Sequence, residues 1–209
     1  MKEKQQIIFI HGGESFNSYE QYISFIKKVP LYDLDNSTKS LSWYKHLYDF
    51  LPDSEYEIFS LKMPSKENAK YNEWKIWFER HIPYLKEDLI LIGHSLGGIF
   101  CAKYLSENNL NIKINQLHLV APPYNDENEI EQLDDFKITE FPKDFFKINI
   151  DEIHIYHSTD DTVVPISESE TYHAALPGSQ LHIFNDRFHF LDETFPELFE
   201  NIKCTTETL

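Results

Sequence analysis

Short apolar runs alternate with longer amphipathic stretches along the chain. Six of these runs are almost continuously apolar and are bounded by polar or turn-forming residues, which is typical of parallel strands buried on both faces of a sheet. The predicted strands span residues 6–10, 56–61, 88–92, 116–120, 152–156 and 180–184. The stretches between them predict helices over residues 19–28, 41–51, 68–85, 96–108, 167–176 and 194–203.

The alternation of strands and helices predicts an α/β fold. We expect one domain over residues 1–209, with a six-stranded, mostly parallel, doubly wound sheet and helices on both faces. Residues 121–149 contain three prolines and an acidic run, which predicts a short irregular flap over the site and no large lid domain. Ligands of such sheets bind beyond the carboxyl ends of the strands, so the residues there are the candidates for chemistry. The predicted helix over 68–85 carries an apolar stripe that should pack on the sheet: Tyr71, Trp74, Trp77, Phe78 and Ile82.

A serine follows the third predicted strand in the sequence GHSLGG, residues 93–98. A Gly-x-Ser-x-Gly sequence between a strand and a helix is a nucleophile elbow. Its sharp, strained turn exposes the serine Oγ, and its neighbours must be small because the backbones crowd. We therefore predict that Ser95 is a nucleophile.

A serine nucleophile needs a base and an acid that orients the base, and in this architecture they follow in the order Ser, Asp or Glu, His. Asp161 lies in HSTDDTVVP after the fifth strand, with Asp160 as the alternative acid. Most of the ten histidines lie inside predicted strands or on helices, where packing or a satisfied hydrogen bond is the ordinary interpretation. His189 follows the last strand after a short loop, so it is the predicted base.

The loop after the first strand, HGGESF at residues 11–16, is predicted to complete an oxyanion hole. The backbone N–H of Leu96 would supply one donor, and an N–H of this loop the second. We expect Gly13 to be that second donor, with Glu14 as the alternative. A carboxylate at Glu14 would repel a developing oxyanion, so we expect it to point away or to meet a cationic part of the substrate.

These residues resemble a known family. HGGESF, LKMPSKEN, Glu73-Trp74, GHSLGG, LVAPP, STDDTVVP and FHF are similar to the compact α/β-hydrolases related to retinoblastoma-binding protein 9 and bacterial YdeN-type proteins. The resemblance implies the α/β-hydrolase fold, and Ser95, Asp161 and His189 match the positions of the family's triad. The family's late histidine usually follows glycine, whereas Phe188 stands there in this chain. The segment 21–52 is also longer and more aromatic than the family needs at that point.

Composition narrows the function further. The formal net charge of −16 disfavours nucleic acid and an anionic membrane face as partners, and also strongly anionic substrates. Two cysteines make no disulfide framework or metal spacing, and the amino-terminal apolar run is too short for a signal peptide, so we expect a cytoplasmic protein.

No cofactor motif is present, and we expect neither a cofactor nor a metal. The calcium-loop-like start at residues 33–36 has no glycine at the sixth loop position.

The sequence therefore predicts a serine hydrolase that cleaves a small or medium carboxylic ester through an acyl-enzyme. A thioesterase, an acyl transferase or a peptidase would use the same triad, and a non-catalytic binding module is a further alternative. The expected partner is a small-molecule acyl substrate, with Glu14, Tyr124 and Phe188 as its predicted contacts. Oligomeric state is not predicted.

Overall fold

The computed structural model describes residues 3–29, 42–125, 132–141 and 149–204. The calcium-loop-like residues 33–36 and much of the predicted flap, at 126–131 and 142–148, lie outside the described residues. The described part contains one six-stranded sheet, in which every pairing between neighbouring strands is parallel. The strands are β1 (Gln5–Ile10), β2 (Tyr56–Leu61), β3 (Leu89–His94), β4 (Ile114–Val120), β5 (Ile150–Ser158) and β6 (Gln180–Phe184). Their order in the sheet is β2-β1-β3-β4-β5-β6, which confirms the predicted doubly wound α/β fold.

Helices cover both faces of the sheet. Alternate residues of each strand point to opposite faces, so the apolar runs feed two separate hydrophobic cores. The α-helices are α1 (Tyr19–Ile26), α2 (Leu47–Phe50), α3 (Tyr71–Glu79), α4 (Leu96–Glu107), α5 (Ile166–Ala175) and α6 (Pro196–Cys204). One core packs beneath α3, α4 and α5, and the other beneath α2 and α6. None of the described helices is long and apolar enough to cross a membrane.

Two predicted helices are shorter than expected. The helix over 41–51 is broken into a 3-10 turn, Trp43–Lys45, and the four-residue α2, because His46 between them has non-helical backbone angles. The helix over 68–85 begins only at Tyr71, because Lys70 before it has extended backbone angles, φ −127° and ψ 130°. It ends at Glu79, and Pro83 lies in the separate 3-10 turn Ile82–Tyr84. Within the stripe, Tyr71, Trp74 and Phe78 are buried as predicted, while Trp77 and Ile82 are partly buried.

Three histidines form a stacked row across β4, β5 and β6 on the face covered by α6. The rings of His118 and His154 are 4.9 Å apart at 11°, and those of His154 and His182 are 5.4 Å apart at 16°. Tyr156 stacks on His182 at 4.6 Å, and its hydroxyl lies 3.0 Å from His118 Nδ1. These histidines are therefore hydrogen-bonded packing residues, as expected for histidines inside strands.

The row constrains the proton positions. Gln116 Nε2 donates to Glu152 and to a backbone carbonyl of α6, so its Oε1 is an acceptor for His118 Nε2–H at 3.2 Å. In neutral His118 the Nδ1 must then accept from the Tyr156 hydroxyl. Protonation of His118 would place a second N–H against that hydroxyl. Burial, with a smaller effect of His154, lowers the pKa of His118 well below its usual value.

These buried histidines predict a loss of stability on mild acidification. Burial also lowers the pKa of His94 to about 3. Below pH 6.5 the unfolded chain binds protons at His118 and His94 that the folded chain does not bind, so stability falls as the pH falls. Each group costs about 1.4 kcal/mol between pH 7.5 and 5.5, or about 2.7 kcal/mol together. Urea unfolding at the two pH values measures this, and an equal or higher unfolding free energy at pH 5.5 would contradict it.

Candidate active site

Ser95 occupies the sharp turn between β3 and α4. Its backbone has φ 54° and ψ −123°, a strained conformation of the kind found at functional sites. The Ser95 N–H donates to the carbonyl oxygen of Val120 at 2.8 Å. A Cβ at Gly97 would collide with the carbonyl oxygens of Ile10 and His11, so α4 can begin this close to β1 only with glycine there. The elbow therefore has the geometry that the motif predicts, while the role of Ser95 stays a prediction.

The Ser95 side chain lies beside the loop that follows β1. A Cβ added at Gly12 would lie 3.0 Å from Ser95 Cβ and 3.5 Å from Ser95 Oγ. The hydroxyl makes no hydrogen bond with another residue of the described ranges. Catalytic hydrogen bonds are often loose until substrate binds. The strained backbone therefore sets the direction of the Cα–Cβ bond, and no hydrogen bond to a described residue holds the hydroxyl.

The side chains of Asp161 and His189 are hydrogen-bonded. Asp161 Oδ2 accepts from His189 Nδ1 at 2.8 Å, and Asp161 Oδ1 accepts from the N–H groups of Val163 and Val164 at 2.8 and 3.0 Å. Burial alone would raise the pKa of Asp161, but the hydrogen bond and charge of His189 and the two N–H groups outweigh it and lower that pKa. The carboxylate therefore stays ionised and holds the proton of His189 on Nδ1. This leaves the Nε2 lone pair available as a base.

Asp160, the alternative acid, has a different set of partners. Its Oδ1 accepts from the Ser158 hydroxyl at 2.5 Å and from the N–H of Phe188 at 3.0 Å. Ser158 Oγ in turn accepts from the N–H of Arg187 at 3.1 Å. Asp160 therefore holds the loop that carries His189, and the geometry favours Asp161 as the partner of the imidazole.

The loop around His189 uses left-handed backbone without glycine. Phe188 and Phe190 have φ of 46° and 54°. Phe188 therefore adopts the left-handed conformation that is favourable for the glycine found before the histidine in the family pattern. Trp43 holds this loop with two hydrogen bonds. Its indole Nε1–H donates to the carbonyl oxygen of Phe190 at 2.9 Å, and its backbone N–H donates to the carbonyl oxygen of Asp192 at 2.8 Å. The described part of segment 21–52 therefore supports the loop that carries the histidine.

His94, directly before Ser95, joins the two halves of the site. Its Nε2 donates to the carbonyl oxygen of His189 at 2.9 Å, and the two ring centroids are 5.1 Å apart. Because burial, assisted by the charge of His189, lowers the pKa of His94 to about 3, the ring is neutral near pH 7. The elbow motif leaves this position open, so the sequence assigned it no role. The sequence feature that could have indicated a role is the histidine itself, which ends the otherwise apolar strand β3.

The structure discriminates between the predicted oxyanion donors. The N–H of Glu14 donates to the carbonyl oxygen of Lys66 at 2.8 Å, which excludes it as the alternative donor. Leu96 is the first residue of α4, where the helix itself does not use the N–H, and Gly13 lies in the loop after β1. Neither of these two N–H groups has a hydrogen-bond partner among the described residues. Both are therefore available to a substrate oxygen.

The loop after β1 is held by its own hydrogen bonds. The N–H of Met63 donates to His11 Nε2 at 3.0 Å, so neutral His11 carries its proton on Nδ1 and donates it to the Gly12 carbonyl at 2.6 Å. Burial lowers the pKa of His11, which favours this neutral form. The N–H of Ala69 donates to the carbonyl of Glu14 at 2.7 Å. The donors of this loop are therefore positioned before any substrate arrives.

The three predicted substrate contacts lie in different surroundings. Glu14 is exposed; partial desolvation of its carboxylate raises its pKa, and the nearby His189 opposes that rise. Tyr124 is only 7% exposed and packs against Tyr172, with ring centroids 5.0 Å apart. Phe188 is 62% exposed. Glu14 and Phe188 are accessible to a ligand, Tyr124 offers it little surface, and all three roles stay predictions.

The residues described here offer no metal site. Among them, no group of three or more histidine, cysteine, aspartate or glutamate side chains is arranged to hold a metal ion. The hydrogen-bonded pair of Asp161 and His189, the elbow and the two N–H groups without a partner are the parts that acyl transfer to a serine would use.

Comparisons with known proteins identify the family and the fold. The family model described as serine hydrolase matches residues 32–201. A search of curated protein sequences finds no match. The solved structure of the ydeN gene product from Bacillus subtilis is similar over 98% of this chain and 100% of that chain, with a TM-score of 0.77 and 18% identity.

Two further solved structures are similar at lower scores. An esterase from Exiguobacterium antarcticum has a TM-score of 0.61 and 16% identity, covering 99% of this chain and 93% of its own. A methylesterase from Arabidopsis has a TM-score of 0.61 and 14% identity, covering 98% of this chain and 100% of its own. At such identities these structures show that the fold is shared.

Matched substitutions of the two neighbouring aspartates test their different positions. Asp161→Asn removes the carboxylate that holds the His189 tautomer, so ester hydrolysis should lose about 10⁴-fold in kcat. Asp160→Asn keeps an oxygen that can accept from Phe188, so its loss should stay within about tenfold. Steady-state kinetics of both variants measure this, and a larger loss for Asp160→Asn would reverse the assignment.

Proposed function

The chain belongs to the serine hydrolase family, and we propose that it is an esterase that cleaves a small or medium carboxylic ester through a covalent acyl-enzyme. The observation that carries the proposal is the 2.8 Å hydrogen bond from His189 to the buried, ionised Asp161. It supports a catalytic role because it prepares an unprotonated Nε2 at the edge of the sheet where the elbow holds Ser95. The esterase and methylesterase among the similar structures support the choice of an ester.

The reaction follows from these positions. Ser95 Oγ attacks the ester carbonyl while His189 Nε2 accepts the hydroxyl proton, and Asp161 stabilises the imidazolium. The N–H groups of Leu96 and Gly13 hold the oxyanion of the tetrahedral intermediate. Collapse expels the alcohol, which receives the proton from His189 Nε2.

Deacylation uses the same groups in reverse. His189 takes a proton from a water molecule, which attacks the acyl-enzyme, and then returns a proton to Ser95 Oγ as the carboxylic acid leaves. Removal of one oxyanion donor typically lowers kcat by about 10²–10³-fold. The two N–H groups together therefore contribute to kcat on the same scale as Asp161, which holds His189 in the correct tautomer.

The substrate range is the finer part of the proposal. The short connection between β4 and β5 leaves room for a flap but not for a lid domain, which supports an open site and a small or medium acyl group. We also place the reaction in the cytoplasm, since Cys101 is a buried free thiol in a chain with two cysteines.

Covalent labelling tests the nucleophile. A fluorophosphonate probe should label the wild-type protein, and Ser95→Ala should abolish the label because the probe reacts only with an activated serine. Ser106→Ala is the matched control on the same helix: its hydroxyl bonds to Lys103 within α4, and the label should persist. Equal labelling of Ser95→Ala and wild type, or no labelling of either, would contradict the proposal.

Substrate preference is measured separately. On p-nitrophenyl esters of increasing chain length, kcat/KM should be highest for short and medium acyl groups and should fall for long ones. A thioester and an aminoacyl amide run in parallel should be poorer substrates than the matched ester. A higher kcat/KM for the thioester or amide would replace the esterase assignment while leaving the triad in place.

A further inference from the structure

The Glu14 carboxylate lies in the candidate active site without a balancing cation. Its side chain makes no salt bridge and no hydrogen bond within the part of the chain that the structure describes. The lysines on the neighbouring segment are engaged elsewhere. Lys66 Nζ lies 3.9 Å from Glu67, and Lys70 Nζ is paired with Asp134 at 2.5 Å.

The backbone fixes where this charge sits. The backbone N–H of Glu14 donates to the carbonyl oxygen of Lys66 at 2.8 Å, and the carbonyl oxygen of Glu14 accepts from the N–H of Ala69 at 2.7 Å. These two hydrogen bonds fix the backbone of Glu14 on both sides. Glu14 directly follows Gly13, whose N–H is the proposed oxyanion donor, and its carboxylate interacts electrostatically with His189. The negative charge therefore belongs to the residue next to the proposed oxyanion donor, and it acts on the proposed base.

A fixed negative charge at this place discriminates between substrates. It repels the oxyanion that forms during attack on a neutral or anionic ester, which opposes the two N–H donors. A positive group on the substrate would pair with the carboxylate and remove that opposition. Glu14 is exposed, so water and salt screen the pair, and the effect is confined to a positive group that approaches the carboxylate directly.

The surroundings of Glu14 also carry more negative than positive charges. The segment that binds the backbone of Glu14 also lines a cleft of about 390 Å³, in which the carboxylates of Glu67 and Glu73 face one cation, Lys70. The net charge of −16 further attracts cations towards the protein.

We propose that Glu14 is a specificity-determining residue that selects esters carrying an ammonium group, either on the acyl part or on the leaving alcohol. The inference rests on the proposed hydrolysis at Ser95 and adds to it the substrate class. It concerns binding and transition-state stabilisation only, and Glu14 exchanges no proton or covalent bond with the substrate.

Isosteric ester pairs test the proposal. One pair is a p-nitrophenyl ester whose acyl chain ends in trimethylammonium and its analogue ending in tert-butyl. The other is a choline ester and its analogue with the same replacement in the alcohol. In at least one pair, wild-type kcat/KM should favour the cation by about tenfold, and the pair that shows it tells which side of the ester faces Glu14.

Two variants with equal net charge separate a local pairing from the general field. Glu14→Gln keeps the backbone hydrogen bonds and should reduce the preference about five- to tenfold. Glu200→Gln removes one exposed charge from α6 and should keep the wild-type ratio. An unchanged ratio in Glu14→Gln, an equal reduction in both variants, or no wild-type preference in either pair would overturn the inference.

The two levels of failure are distinguishable. If neutral esters are hydrolysed and Ser95 is labelled but no cation preference appears, only the role of Glu14 is wrong. If no ester is hydrolysed and the fluorophosphonate probe does not label Ser95, the proposed function fails, and the inference fails with it.

Discussion

The hydrogen bond between Asp161 and His189 is the interaction on which the candidate site depends. It joins residues that follow two neighbouring parallel strands, β5 and β6, and so it exists only when both strands end at the same edge of the sheet. The carboxylate remains ionised although it is buried, because three N–H groups converge on its two oxygens. One pair thus links the strand order of the fold to the proton position on the proposed base.

The other parts of the site are held by backbone contacts. Gly97 lets α4 begin against the end of β1, which brings the elbow and the loop of Gly13 together. His94 then connects the elbow to the histidine loop, and Trp43 supports that loop through two further hydrogen bonds. Most of these contacts end on backbone atoms, so side chains such as Phe188 can depart from the family pattern while the loop keeps its shape.

The sequence predicted the number and the parallel arrangement of the strands, because short, continuous apolar runs that alternate with amphipathic helices are typical of strands buried on both faces of a sheet. It also indicated Ser95, Asp161 and His189, since strand ends and a two-glycine elbow are local signals. It did not predict the break at His46 or the late start of α3, because the apolar pattern does not show that His46 and Lys70 have non-helical backbone angles. The roles of His94 and Asp160 were missed because each acts through a loop that is remote in sequence.

The most direct test is the proton on His189 Nδ1, observed by nuclear magnetic resonance of the imidazole ¹⁵N–H groups. The wild type should show a downfield Nδ1 proton that His189→Gln identifies by its disappearance. Asp160→Asn should retain this signal, and Asp161→Asn should lose it or shift it strongly upfield, because the charged acceptor is gone. An unchanged signal in Asp161→Asn, or a signal lost only in Asp160→Asn, would contradict the account.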